Sequence, residues 1–388
     1  CKLGSGTVTF DSNATDITIQ DLVYDNSHTM CDLAVAPNVG LYMEYMVPTA
    51  PEYNVTFIGQ NHILNTYYNF DYNLGGIPFD FYILGEGDKP LVNLIGDGTL
   101  TITNGYNALR VIGDLMIDVD ITVEQSRPYY ADGIAATNIL VADGTVLDLE
   151  VNGYALGAKN NLFMENADVT IKANTPHISQ GTVTKNVVSA GGTISLRGTN
   201  LDITSVTDQD ICGQAAGICG ISSDGELFIT ENSSVSCDML VTGYDYFSFF
   251  FIGISTLNGY VEDSTVLVSL DGENCVSSIG LYSEEDLQFI NSKLSVDMRS
   301  SGDVYGVSVE RDFNAEDSAV DVQAGCYPDF DENACYGLIC ENAVFKVTDA
   351  AYTMRFAAED GLALECGLQS HRCSVYHALC PGRIQAPD

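Results

Sequence analysis

One recurring pattern constrains the fold of this chain more than anything else in it. An Asn or Asp followed by a small residue stands at Asp143-Gly144, Asn166-Ala167, Asn232-Ser233, Asp263-Ser264, Asn291-Ser292, Asp317-Ser318 and Asp349-Ala350. Three residues after each Asn or Asp comes an apolar side chain: Val146, Val169, Val235, Val266, Leu294, Val320 and Tyr352. The fifth is apolar as well, except at Asp148, where the pattern slips to Leu149. A second alternation lies upstream, as in Ile139/Val141, Leu162/Met164, Leu227/Ile229, Leu287/Phe289 and Phe345/Val347. Further upstream stands a Gly: Gly133, Gly157, Gly220, Gly253, Gly280, Gly306 and Gly337. A weaker copy around Asn200 fills the one gap, and the mean repeat is about 29 residues.

Alternation over four or five residues is the period of a strand. Asn, Asp and Gly tolerate a left-handed backbone, so they suit the corner between two short strands. Hairpins would give a meander or a propeller, but a propeller blade needs four strands in roughly 40–50 residues. A coil of two or three short strands, stacked parallel on the next coil, fits the shorter period, because inward residues then stack into a continuous core. The expected fold is all-β, a right-handed parallel β-helix (a solenoid). Residues 1–365 are read as a single β-helix domain in which 1–95 are irregular first coils and a cap. Residues 366–388, rich in Cys and His, are read as a C-terminal cap or tail.

Charge narrows the partners. The chain has 53 Asp and Glu against 15 Lys and Arg, a net charge of −38. Phosphate backbones need a basic patch, so nucleic acid is excluded as a partner. An anionic membrane surface is repelled. The richest apolar run, Phe247 to Ile254, is too short for a transmembrane segment. Twelve Cys suggest an oxidising compartment and disulfides. Sequons stand at Asn13, Asn54 and Asn232. Cys1 has two readings: a lipid anchor, as in a bacterial lipoprotein, or an ordinary disulfide cysteine.

Candidate chemistry is sparse. Cys366, His371, Cys373, His377 and Cys380 are zinc-type ligands without the paired Cys-x2-Cys spacing of a zinc site, and disulfides are the alternative. Asp329, Asp331 and Asn333 alternate like the start of a calcium loop, but Ala334 and Cys340 occupy the positions of its Gly and Glu. They are the candidate metal ligands, with calcium the candidate cofactor; the alternative is a solvated acidic loop tied by Cys326 and Cys335. Acidic clusters also stand at Glu284-Glu285-Asp286 and at Asp208 and Asp210. No catalytic carboxylate pair can be singled out among 53 acids. His28, His62 and His177 form no triad spacing, and His62, alternating with apolar neighbours, reads as structural. The aromatic clusters Tyr67, Tyr68, Phe70 and Tyr72, Tyr129-Tyr130, and Tyr244 to Phe251 could stack on sugars or pack between coils.

The segments "DGTLTITNG", "NVTFIGQNHI", "GISSDGELFITENSSVSC" and "GLYSEEDLQFINSKLSV" resemble right-handed parallel β-helix proteins exported by clostridia and related gut bacteria. Many of those are described as carbohydrate-binding. One clostridial branch is similar to the pectate lyase fold and binds plant polysaccharide and calcium. The resemblance covers about residues 54–356 and rests on core and turn positions, so it transfers no site residues. Polygalacturonase-like enzymes of this fold need a Gly-His-Gly and an Arg-x-Lys, and this chain has neither. Lyase-like enzymes need a basic proton abstractor, for which Arg110, Arg127, Lys159, Lys172 and Lys185 remain. The resemblance implies an exported, non-catalytic protein, extracellular or on the cell surface, for binding or adhesion to a polysaccharide or other surface ligand. The alternatives are a self-assembling structural stalk and, behind it, a polysaccharide lyase or hydrolase.

Overall fold

The structure is a computed structural model that describes residues 5–11, 15–25, 51–64, 77–79, 90–103, 107–111, 113–125, 132–174, 184–208, 217–242, 250–273, 275–327, 334–346, 354–358 and 362–368. All regular structure among them is β. Two compact units divide the chain, Cys1–Pro176 and His177–Asp388.

The first unit opens with an antiparallel pair, Ser5–Phe10 against Asp16–Asp25. Parallel pairing follows. Asp16–Asp25 stacks on Glu52–Ile58 and Gln60–Leu64, and these stack on Leu91–Thr103, which stacks on Asp114–Glu124. The next coils continue through Asn138–Val141 and Val146–Val151 to Leu162–Glu165 and Asp168–Asn174. A further parallel stack contains Ile77–Phe79, Asn107–Val111, Asp132–Ala136 and Leu156–Ala158. Alternation decides which side chains enter the core: Leu100 and Ile102, Ile121 and Val123, Leu147 and Leu149, and Val169 and Ile171 are all buried. Each such side chain contributes roughly 1.5–3 kcal/mol on burial, well above a surface ion pair at roughly 0–1 kcal/mol. The stacked interior therefore holds the coils, and the outer surface is free to vary.

In the second unit the register is more regular. Leu201, Val235, Val266, Leu294 and Val320 stack in one buried row, and Ile203, Cys237, Val268, Val296, Val322 and Phe356 in the next. Near the C-terminal end, Phe289, Phe313, Phe345 and Phe356 make successive ring contacts at 5.8–6.0 Å.

The recurring Gly has a steric cause. A Cβ on Gly280 would lie 2.5 Å from the Gly306 carbonyl oxygen and 2.5 Å from Val296 Cγ1. Gly220, Gly253 and Gly306 meet the same obstruction from the next Gly in the column. Each marks the point where two consecutive residues turn inward, as at Gly280 and Leu281, so backbone and opposite wall come within contact.

The expected corners are left-handed: φ is 44° at Asn166, 64° at Asn232, 48° at Asp263, 47° at Asn291 and 44° at Asp317. Two expectations shift by a residue or two. The left-handed residue near Asp143 is Gly144, so Thr145 takes the buried corner place and Leu147, not Val146, points inward. This explains the slip at Asp148. Near Asn200 the corner is Gly198, followed by buried Thr199. Glycine takes left-handed backbone more readily than its Asp or Asn neighbour. The pair Asp349-Ala350 lies outside the described residues.

The small corner residue also forms a buried hydroxyl ladder. The Thr199 amide donates to Ser233 Oγ (3.0 Å), that of Ser233 to Ser264 Oγ, that of Ser264 to Ser292 Oγ, and that of Ser292 to Ser318 Oγ (3.1 Å each). The steps are 34, 31, 28 and 26 residues, so coils shorten toward the C-terminus while the corner keeps its geometry. Three thiols in this unit, on Cys219, Cys237 and Cys275, are free and buried, where an even cysteine count suggests disulfides. Burial pushes the Cys219 and Cys275 thiols up to about 12, and raises that of Cys237 as well. Among the described residues no helix is long and apolar enough to cross a membrane.

Candidate functional site

Once inward residues are assigned by alternation, every second residue must face solvent. In the first unit this yields an ordered outward surface across five successive coils. One row is Gln60, Thr99, Asp120, Val146 and Asp168; the second is His62, Thr101, Thr122, Asp148 and Thr170; the third is Leu64, Thr103, Glu124, Glu150 and Lys172. All fifteen are exposed or half-buried. Neighbours along a row are one strand spacing apart, about 4.8 Å, and neighbours along a strand about two residue rises, roughly 6.6 Å. The surface is thus a lattice of hydroxyls and carboxylates with few basic groups.

Two features interrupt its regularity. At one border the coil of Leu91–Thr103 bulges: register resumes at Thr99 opposite Asp120 after Ile95 opposite Asp118, so Gly96, Asp97 and Gly98 together oppose Val119. Bulges of this kind re-aim side chains. Here the result is an open depression of about 170 Å3 lined by Gly96, Asp97, Gly98, Asp118, Val119, Asp120, Asp143, Gly144 and Thr145. Its four carboxylates are exposed, and Asp120 accepts the Val146 amide at 2.9 Å. Elsewhere on the surface, His62 Nε2 lies 2.9 Å from Thr103 Oγ1, and the Thr103 hydroxyl donates to Glu124 Oε2 at 3.3 Å. His62, read from its apolar neighbours as structural, is half-buried on this outward surface.

Polar rows also form on a neighbouring strand set. Asn54 donates to Asp16 at 2.9 Å, and Asn93 donates to Asn54 at 2.9 Å and to Glu52 at 2.6 Å. The amide of the Asn54 sequon is therefore engaged between coils. Register next brings half-buried Met116 and exposed Leu140 and Phe163, an apolar row.

In the second unit the acidic cluster Glu284-Glu285-Asp286 is partly neutralised: Arg311 lies 3.4 Å from Glu285 and 3.5 Å from Asp286. Tyr305 and Tyr336 stack at 5.4 Å with their planes 6° apart, so their flat faces serve each other. Burial, then Asp303 and Tyr336, raises the Tyr305 hydroxyl above the usual phenol range. Arg299 sits 5.0 Å over the Tyr327 ring, whose hydroxyl bonds Asp271.

Several sequence candidates fall outside the described residues: Asp329, Asp331 and Asn333; His371, Cys373, His377 and Cys380; Asp210; Tyr67 to Tyr72; Tyr129 and Tyr130; Tyr244 to Phe249; His28 and His177; and Arg127. Cys366 lies in the parallel strand Leu362–Leu368. Phe251 is a core residue and Phe250 an exposed one. Of the basic residues considered as proton abstractors, Lys172 stands on the outward lattice in register with Glu150, while Arg110 and Lys159 lie on other segments. Among the described residues no group of three or more His, Cys, Asp and Glu is arranged to hold a metal ion. In comparisons with protein-family models, curated proteins and solved structures, nothing matches this chain.

Proposed function

We propose that the chain is an exported, non-catalytic protein, extracellular or on the cell surface, that binds a polysaccharide along the outward lattice of its first unit. The observation that carries this reading is periodicity. Hydroxyls and carboxylates recur at one strand spacing over four successive coils, from Thr99–Thr103 to Asp168 and Thr170, and a repeating surface engages a repeating polymer by many similar contacts. Weak single contacts then add through effective concentration. Hydroxyls and ionised carboxylates accept hydrogen bonds from sugar hydroxyls. With a net charge of −38 the ligand is a neutral, hydroxyl-rich glycan, because a polyuronate would be repelled.

Parallel strands joined by short connections support a right-handed β-helix as the finer description of the coils, since crossovers between parallel strands are right-handed in about 98% of cases. The buried thiols are compatible with export: a thiol held protonated is a poor nucleophile and resists oxidation.

The test is a glycan array with and without calcium, comparing the native protein with Thr101→Ala/Asp148→Ala. Retention of a neutral polysaccharide, weakened in the double variant, is expected. No retention under either condition, or retention the variant leaves intact, would overturn the reading. Binding only with calcium would make the ion part of it. The apolar row of half-buried Met116 and exposed Leu140 and Phe163 favours a second reading, a self-assembling structural subunit. Light scattering that finds monomers up to high concentration would remove it.

A further inference from the structure

We infer that His62 controls the availability of Glu124 through Thr103, so that engagement of ligand at this corner of the lattice depends on pH. The inference rests on the polysaccharide-binding reading of the same surface and adds its regulation.

The geometry is a three-member chain across three coils. His62 belongs to Gln60–Leu64, Thr103 to Leu91–Thr103 and Glu124 to Asp114–Glu124. Thr103 and Glu124 are directly opposed in register, whereas His62 opposes Thr101 and reaches Thr103 diagonally. A hydroxyl has a single proton to donate. When His62 carries its second proton, Nε2 must donate to Thr103 Oγ1, and the Thr103 proton is directed to Glu124. One lone-pair direction of that carboxylate is then filled. When His62 is neutral with its proton on Nδ1, Nε2 becomes an acceptor. Thr103 can then turn its proton back to His62, and Glu124 is left to accept from a sugar hydroxyl. Raising the pH thus opens an arrangement that protonation forbids.

The other groups around His62 do not supply a competing switch. Along its own strand the outward neighbours are Gln60 and Leu64. From the preceding coil, register places Val23 opposite His62 and Asp25 opposite Leu64, while Asp21 accepts the Gln60 amide at 3.3 Å. From the following coil come Thr101 and Thr103, and beyond them Glu124. The acidic groups on these coils are thus Asp21, Asp25 and Glu124, and imidazole is the side-chain type that ordinarily changes charge between about pH 5 and 8.

The experiment is an NMR pH titration of protein with labelled His and Glu. The Glu124 carboxyl carbon should show a step coinciding with the His62 ring titration. That step should vanish in Thr103→Val and in His62→Gln, while the folded spectrum persists. A Glu124 signal that ignores His62, or that still follows it in Thr103→Val, overturns the coupling. On the glycan identified by the array, affinity should rise about threefold between pH 5.5 and 7.5, and this rise should be lost in Thr103→Val. Equal affinity at both pH values overturns the regulation and leaves the binding surface standing. No glycan binding at either pH overturns the binding surface and its regulation together, whatever the titration finds.

Discussion

Replacing Ser292 by Ala tests whether the corner ladder contributes to stability or merely accompanies the coils. Ser292 is 4% exposed. Its hydroxyl donates to the Ile290 carbonyl at 2.6 Å, with Val261 at 3.3 Å, and accepts the Ser264 amide at 3.1 Å. The Ile290 carbonyl also accepts the Asp263 amide at 3.0 Å, so it keeps a partner in the variant. The group that loses everything is the buried Ser264 N–H. Leaving one buried donor unsatisfied costs about 1–3 kcal/mol, and the space left by one oxygen is too small to admit a water with several polar partners. Ser269, exposed on the outward side of the adjacent strand, is the control, expected within about 0.5 kcal/mol of the native protein. Urea unfolding followed by far-ultraviolet circular dichroism reads the difference as a lower midpoint at unchanged slope. If Ser292→Ala and Ser269→Ala shift the midpoint equally, the ladder does not stabilise the corner, and the recurring Ser has some other cause.

Other consequences can be checked in the same way. Gly280→Ala places a methyl 2.5 Å from both the Gly306 carbonyl and Val296 Cγ1, where backbone cannot yield cheaply; a loss of about 1–3 kcal/mol or more is expected from denaturant unfolding. Gly144→Ala meets nothing within 4 Å but sits at a φ of 78°, so it should lose only the left-handed backbone penalty of about 1–2 kcal/mol. Asn93 is buried with its Oδ1 unpartnered where the register of the Asn row passes to Met116. Met116→Gln offers an amide donor at similar volume and should stabilise the protein by up to about 1 kcal/mol, read as a higher thermal midpoint. Cys219 and Cys275 should resist a thiol reagent at pH 8 until the protein is unfolded. Because burial raises both thiols from 9.0 to about 12, the folded state holds protons that the unfolded chain releases. Their contribution to stability is whole below about pH 9 and is lost as pH climbs toward 12, which unfolding midpoints across that range would record.

Much of the coil was legible because its causes are local. Asn166, Asn232, Asp263, Asn291 and Asp317 are left-handed where an Asn or Asp before a small residue says they should be, and the Gly column follows from close approach. The departures are equally physical. At Gly144 and Gly198 a glycine next to Asp143 and two residues before Asn200 took the left-handed φ, which displaced the inward register by one residue in the first case. Nothing in the spacing distinguishes Ser from Ala at the corner, because the ladder is a contact between residues 26 to 34 apart.

The outward lattice was half legible, and the reason bears on its function. Alternation alone names Thr99, Thr101 and Thr103 as outward residues, yet it cannot say which residue of the next coil stands beside each. That depends on the length of every intervening loop. The bulge at Gly96 to Gly98 is a case in point: because it absorbs two residues, Thr99 rather than Asp97 stands beside Asp120 and Thr103 rather than Thr101 opposite Glu124, and the acidic depression opens at the border. Without Asp97 and Gly98, Gly96 alone would oppose Val119 and Thr103 would still stand opposite Glu124, so the rows would stay, the core would remain apolar and the depression would go. Bulged insertions of this kind therefore add features at the border of the lattice without taxing the core. A border that can be remodelled at so little cost in stability is one on which ligand specificity can be tuned. Deleting Asp97 and Gly98 should accordingly leave the unfolding midpoint nearly unchanged while altering glycan retention; a collapse in stability instead would mean that the bulge serves the coil rather than the surface.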